Sequence, residues 1–91
     1  MTVYWYKQCS ICKQGMLEIR HDITHNCLYL ECDECSWSWY DPKAFDDNKN
    51  GFIKLITEFD SEPADMDTIN EYGWSQYVLG SYIKNDKGRW G

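Results

Sequence analysis

Four of the five cysteines form two pairs with the same internal spacing, and these pairs are the residues best suited to chemistry in this 91-residue chain. The first pair is Cys9 and Cys12, the second is Cys32 and Cys35, and 19 residues separate the two pairs. Two residues between paired cysteines allow both thiolates to bind one tetrahedral ion, and the overall spacing is typical of zinc sites. The sequence therefore predicts one structural Zn²⁺ held by four thiolates.

Redox and disulfide uses of these cysteines are the alternatives. A thioredoxin-like pair lies beside a βαβ pattern at a helix N-terminus, and no helical pattern begins at either pair. A disulfide framework needs an oxidising compartment, but no apolar leader follows Met1, and the fifth cysteine, Cys27, would have no partner. We therefore expect reduced thiols, a cytoplasmic location, and Cys27 as a half-buried apolar side chain.

The segments that flank the cysteines alternate as half-buried strands do. Residues 16–20 (MLEIR) alternate apolar and polar side chains, and residues 27–31 (CLYLE) do so again after a polar turn. Residues 36–40 (SWSWY) predict a third strand, with Trp37 and Trp39 on one face against the aliphatic side of the hairpin. This pattern predicts a three-stranded antiparallel sheet with two CxxC turns.

Cysteine pairs and strands in this order resemble a zinc ribbon over residues 9–40. By position, the resemblance implies that the four paired cysteines are the zinc ligands. Many ribbons have glycine directly after the second cysteine of a pair, whereas Lys13 and Ser36 stand there in this chain. A left-handed backbone at these residues would cost free energy, and Gly15 is the alternative place for the first turn.

The second half of the chain predicts a further strand and a helix. Residues 52–59 are rich in apolar and β-branched side chains and favour a strand, with a short helix as the alternative. A capping-box pattern at 68–71 (TINE) and apolar residues at helical spacing predict a helix near 66–84. Gly73 and Gly80 weaken the helical pattern, and Gly73 is where the helix would divide.

The chain is expected to form a single small α+β domain over residues 1–91. Its parts would be a zinc ribbon at 1–41, a turn and strand at 42–60, and an acidic segment, helix and tail at 61–91. A domain of this size buries only about 60–65 % of its unfolded surface, so a metal ion and large aromatic side chains would supplement a small core. No apolar run is long enough to span a membrane.

The charge distribution favours a basic protein partner. The net charge is −6, and no Lys or Arg lies between Lys54 and Lys84. This stretch contains the residues predicted to bind the partner: Glu58, Asp60, Glu62, Asp65, Asp67, Glu71 and Trp74. Carboxylates beside aromatic side chains attract basic proteins through electrostatic steering and aromatic contacts, and they repel the phosphates of nucleic acids.

No catalytic pattern is present, so we do not expect an enzyme. The sequence shows no paired nucleophile and base and no phosphate-binding glycine loop, and four thiolates leave zinc no open position. In size, acidity and aromatic content, the chain resembles bacterial immunity proteins, which implies a protein-binding module that inhibits a basic nuclease toxin.

Two alternatives remain open at the level of sequence. One is a zinc ribbon that binds nucleic acid or acts in transcription, although Lys7, Lys13 and Arg20 are the only basic residues in the first 40. The other is a structural zinc domain within a larger assembly.

Overall fold

Seven antiparallel strands form one sheet in the computed structural model of the protein, which describes residues 2–44, 50–54 and 58–83. The strands are β1 (Thr2–Gln8), β2 (Met16–Asp22), β3 (Cys27–Cys32), β4 (Trp37–Trp39), β5 (Phe52–Ile53), β6 (Ser61–Pro63) and β7 (Gly80–Ile83). Their spatial order is β5, β4, β3, β2, β1 and β7, and β6 pairs with β2 beyond the end of β1. The fold is therefore mainly sheet.

The helical part of the described chain is short. It includes the α-helix α1 (Met66–Glu71) and single 3₁₀ turns at Pro42–Ala44 and Ser75–Tyr77. None of these described helices is long and apolar enough to cross a membrane.

The β2–β3 hairpin lies at the centre of the sheet. Its register pairs Leu17 with Cys32 and Asp22 with Cys27. At the tip, the Asp22 carboxylate accepts a hydrogen bond of 2.9 Å from the backbone N–H of His25, which closes the turn. The hairpin and β4 match the three strands predicted for residues 16–40, and they form part of a larger sheet.

One face of the central strands carries the apolar core. Leu17, Ile19, Leu30 and Trp39 are fully buried there, and Ile69 of α1 packs against the same cluster. Side chains two positions apart share a face of a strand, which is why the alternating segments assemble into this layer. The Trp37 and Trp39 rings stack with centroids 6.0 Å apart, and both pack on the aliphatic cluster as predicted.

The helix predicted near 66–84 is wrong beyond Glu71. Gly73 adopts φ +74°, the left-handed conformation that ends many helices, and it follows α1 by two residues. The chain then forms β7, which pairs antiparallel with β1 through Thr2–Ile83 and Trp5–Gly80. The open edge of β1 thus supplies hydrogen bonds that a longer helix would have made internally.

The start of the helix also differs from the capping-box prediction. Asp65 is the N-cap, because its backbone is extended and its Oδ1 accepts a 2.8 Å hydrogen bond from the N–H of Thr68. Thr68 lies in the first turn of α1 and is not its cap.

The strand predicted at 52–59 is confined, among described residues, to Phe52–Ile53. Only three residues of β4 are available to pair, and the register ends at Trp37 opposite Ile53. Residues 55–57 lie outside the described part of the chain, as do 45–49 of the predicted turn and the predicted tail at 84–91. The next strand is β6, which lies at the start of the segment that the sequence predicted to be acidic and helical.

Candidate metal centre

The sulfur atoms of the four paired cysteines converge where the two CxxC turns meet. All four lie within 4.8 Å of one another. The Sγ atoms of Cys9 and Cys35 are 3.7 Å apart, and those of Cys12 and Cys32 are 3.6 Å apart. Metal–sulfur bonds of about 2.3 Å in a tetrahedron place the sulfurs about 3.8 Å apart. The cluster can therefore hold one metal ion.

The two CxxC turns have the same backbone geometry. The N–H of Lys13 donates to the carbonyl of Cys9 at 3.0 Å, and the N–H of Ser36 donates to the carbonyl of Cys32 at 3.3 Å. Both donors are left-handed, with φ 59° at Lys13 and 65° at Ser36. The turns thus end on these two residues, and Gly15 does not take the left-handed position.

Gly15 has a different function that the sequence did not reveal, because it lets the two turns approach each other. A Cβ atom at Gly15 would lie 2.7 Å from the sulfur of Cys32 and 2.8 Å from Cγ of Glu34. The Gly15 carbonyl also accepts a 2.8 Å hydrogen bond from the N–H of Cys9. Any other residue here would force the Cys32 sulfur or the neighbouring Asp33 and Glu34 side chains to shift.

Reciprocal hydrogen bonds fix the second turn to the start of β2. The N–H of Met16 donates to Oδ1 of Asp33 at 3.0 Å, and the N–H of Asp33 donates to the carbonyl of Met16 at 3.2 Å. The backbone N–H groups of Glu34 and Cys35 point at the Cys32 sulfur, at 3.3 and 3.4 Å. Donors arranged around a sulfur in this way stabilise a thiolate.

Burial separates the four thiols into an inner and an outer pair. Cys9 and Cys32 are each only 1 % exposed, whereas Cys12 and Cys35 are half-buried. Burial raises the pKa of Cys32 and of Cys35. Burial acts in the same direction on Cys12, but hydrogen bonds from the Gln14 and Gly15 backbones outweigh it and lower the Cys12 pKa to about 7. Four clustered thiolates, two of them buried, would need a compensating cation, which a bound dication would provide.

No family model, curated protein or solved structure matches the chain.

The remaining metal-ligand residue types in the hairpin lie apart from the cysteine cluster. Cys27 stands opposite Asp22 in the register, and burial and the nearby Asp22 charge raise its pKa. His25 Nδ1 is 2.7 Å from Oδ2 of Asp22, and His21 Nδ1 is 3.7 Å from Oε2 of Glu62. The two histidines contact carboxylates, and none of the three residues belongs to the cluster of four sulfurs.

The six acidic residues predicted to bind a partner are all exposed. We call this set the acidic strip: Glu58, Asp60, Glu62, Asp65, Asp67 and Glu71. Two of its carboxylates have contacts among the described residues, since Asp65 caps α1 and Glu62 lies near His21. Trp74, which was predicted with them, is half-buried and packs on the core, with its ring centroid 5.7 Å from that of Tyr77. Partner binding by these residues stays a prediction.

Proposed function

We propose that the protein is a zinc-stabilised, non-enzymatic protein-binding module whose acidic strip contacts a basic protein. The observation that carries the metal part of this proposal is the convergence of four sulfurs within 4.8 Å, with two cross-turn distances of 3.7 and 3.6 Å that fit the edges of a tetrahedral site. A tetrahedral site of thiolates suits zinc best among the common biological cations.

The donor set supports a structural site over a catalytic one. Four protein ligands complete the zinc shell, so no position remains for water or substrate. The order of elements supports the same choice. The two CxxC turns, the β2–β3 hairpin and β4 follow one another as the elements of a zinc ribbon do. Under this proposal, zinc binding energy stabilises the sheet that displays the acidic strip.

The position of the acidic strip supports the choice of a basic partner. Its first part is anchored along the hairpin, where the Ile23 N–H donates to the Asp60 carbonyl at 2.9 Å and the Asp60 N–H donates to Thr24 at 2.9 Å. Its last part lies on α1, where Asp67 and Glu71 are four residues apart and share one side of the helix. Exposed carboxylates held on ordered backbone steer cationic surfaces toward the protein.

A nuclease toxin is the narrower identity that we propose for the partner. A nuclease needs a basic groove to bind phosphates, and an acidic surface seated in that groove would exclude nucleic acid. The resemblance in composition to immunity proteins supports the same choice.

The metal part of the proposal is tested by Cys12→Ser, with Cys27→Ser as the matched control outside the cluster. We expect the Cys12 variant to bind zinc weakly and to lose the structure of residues 9–40, because zinc binding and folding are coupled. The Cys27 variant should retain one zinc per chain. Stoichiometric zinc and unchanged thermal melting in the Cys12→Ser protein would show that the ligand assignment is wrong.

The partner part is tested by neutralising the strip while Asp65 is kept as the helix cap. The variant combines Glu58→Gln, Asp60→Asn, Glu62→Gln, Asp67→Asn and Glu71→Gln. Zinc-loaded wild-type protein should capture a basic protein from extracts of its source cell, and the variant should capture roughly tenfold less.

A nuclease assay then tests the narrower identity. Nuclease activity of the captured protein should fall when the wild-type protein is added and should persist with the variant. Equal capture by both proteins, or recovery of no basic protein, would contradict the function.

A further inference from the structure

A cavity of about 460 Å³ lies beside the metal centre. The described residues that line it are Met16, Asp33, Glu34 and Tyr82. They come from the start of β2, from the second CxxC turn and from β7. Cavities of about 300–1,000 Å³ are large enough to bind a small molecule or a single protruding side chain.

Hydrogen bonds hold the walls of this cavity in place. Asp33 is joined to Met16 by the two bonds already described, and the Glu34 backbone is held by the Cys32 sulfur. The Tyr82 hydroxyl donates to Oε2 of Glu18, a carboxylate that is only 2 % exposed. The cavity is therefore shaped by the fold and needs little rearrangement to accept a ligand.

The lining has the chemistry of a site for an organic cation on an apolar stem. Asp33 and Glu34 supply two carboxylates that are exposed at the rim, while Met16 and Tyr82 supply apolar and aromatic surface. Neither Lys nor Arg is among the described lining residues. Zinc bound by four thiolates would add a net charge of about −2 next to it. An anionic ligand would be repelled by every charged group named here.

We propose that this cavity binds an arginine side chain of the basic protein, which deepens the proposed function and rests on it. A guanidinium group forms two parallel hydrogen bonds with a carboxylate and stacks on an aromatic ring. It also loses less hydration than a lysine ammonium when it enters a partly apolar site. The thioether of Met16 adapts to the methylene stem. Glu34 is the principal anionic group for this contact, with Asp33 beside it.

The test uses zinc-loaded, ¹⁵N-labelled full-length protein and three short peptides. The peptides are acetyl-Gly-Arg-Gly-amide, its lysine analogue and its citrulline analogue, which is neutral but has almost the shape of arginine. We expect the arginine peptide to shift the amide resonances of residues 16, 33, 34 and 82 in a saturable manner. The lysine peptide should bind more weakly, and the citrulline peptide should cause no saturable shift.

Two variants that each remove one negative charge identify the carboxylate that binds the guanidinium group. Glu34→Gln should weaken arginine-peptide binding roughly three- to tenfold. Asp41→Asn removes one exposed charge away from the lining and should leave the affinity unchanged. The site is overturned by equal shifts with arginine and citrulline peptides, or by wild-type affinity in Glu34→Gln. Equal affinity for lysine and arginine would overturn the assignment to arginine.

The failure of this site is distinguishable from the failure of the proposed function. If the arginine peptide leaves the cavity resonances unmoved while the strip-neutralised variant loses a captured basic protein, the cavity assignment falls and the function stands. If no basic protein is captured but the peptide binds as expected, the function falls and the cavity is a cation site without that partner.

Discussion

Lys13 and Ser36 each end a CxxC turn with a positive φ, and neither is the glycine that such a backbone favours. A left-handed conformation costs a residue with a Cβ about 1–2 kcal/mol. This conformation lets the N–H groups of Lys13 and Ser36 donate to the carbonyls of Cys9 and Cys32, and these hydrogen bonds set the positions of the sulfurs. Sequence spacing found the cysteines, but it could not decide between Lys13 and Gly15 for the turn, since that depends on packing against Cys32.

Glycine at position 13 should therefore stabilise the protein. We expect Lys13→Gly to raise the free energy of unfolding by about 0.5–1 kcal/mol, because relief of the left-handed strain exceeds the added entropy of the unfolded chain. Gln14→Gly is the matched control, since Gln14 is exposed and has no positive φ. Denaturant unfolding of the zinc-loaded proteins measures both. A Lys13→Gly protein no more stable than the Gln14→Gly protein would contradict the strain at position 13.

Asp22 is a fully buried carboxylate whose hydrogen bonds keep it ionised. The Tyr40 hydroxyl donates to Oδ2 at 2.6 Å, and His25 contributes its backbone N–H at 2.9 Å. Burial alone would raise the pKa of Asp22, but the bonds from Tyr40 and His25 outweigh it and hold the pKa below the ordinary value. A lowered pKa in the folded state means that ionised Asp22 stabilises the fold above the unfolded-state pKa. This contribution is lost as the pH falls through the folded-state pKa.

Asp22→Asn should consequently have a pH-dependent cost. At pH 7 we expect it to lower the free energy of unfolding by about 1–3 kcal/mol, since the charged acceptor is replaced by a neutral amide. The difference from wild type should shrink below about pH 4, where the carboxyl group is protonated in the unfolded chain and then also in the folded one. Asp60→Asn, at an exposed position, should show little change. A difference that is constant from pH 7 to pH 3 would contradict the role of the charge.

At the level of elements, the strands that were predicted are the ones whose apolar and polar side chains alternate. Alternation identified β2, β3 and β4 because the apolar core lies on one of their faces, although the opposite face also buries Glu18, Tyr29 and Ser38. The sequence of β6 has no alternating pattern. It forms a strand because it pairs with Arg20, His21 and Asp22 of β2. Such pairing depends on residues about 40 positions away, as the Asp22–Ser61 pair shows, and a local pattern cannot report it.

The error over β7 has a similar origin. Tyr82 and Ile83 fit a helical spacing from Val78, but Gly73 ends α1 and the edge of β1 is available to the following residues. Propensity is a weak guide where a free strand edge competes with a helix that contains two glycines.

Gly80 tests the contact that fixes β7. A Cβ atom at Gly80 would overlap Cζ2 of Trp5 and lie 2.6 Å from its Cε2, because the indole lies against the glycine backbone. Gly80→Val should thus cost about 1–3 kcal/mol, although valine normally favours strands over glycine. Ser81→Val, at an exposed neighbouring position in the same strand, should be neutral or slightly stabilising. Thermal unfolding compares the two, and equal melting temperatures for Gly80→Val and Ser81→Val would contradict the packing of Trp5 on β7.

In the molecule as a whole, the four-cysteine cluster and the apolar core form one unit. Cys9 and Cys32 belong to the same buried cluster as Leu17, Leu30 and Trp39. Without a bound ion, four thiols would face one another at the end of this cluster, and we expect their sulfurs to separate. The spacing of the cysteines predicted that the two pairs come together. Their packing against the apolar core could not be predicted from spacing, because it depends on the β2–β3 register.

Removal of the metal should therefore unfold residues 9–40 and the strands that pair with them. Zinc in small sites of this type contributes about 10–16 kcal/mol of apparent binding free energy at pH 7, which exceeds the stability of most domains of this size. We expect a chelator to abolish the near-ultraviolet circular dichroism of the tryptophans and to unfold β2, β3 and β4. Addition of zinc under reducing conditions should restore the signal. A chelated protein that melts cooperatively at its original temperature would contradict this coupling.

The most direct measurement is X-ray absorption at the zinc edge, on reduced protein purified without chelator and with its metal content quantified. We expect one zinc per chain, surrounded by four sulfur atoms at about 2.3 Å. A sample without zinc, or a zinc shell that contains nitrogen or oxygen in place of any of the four sulfurs, would contradict it.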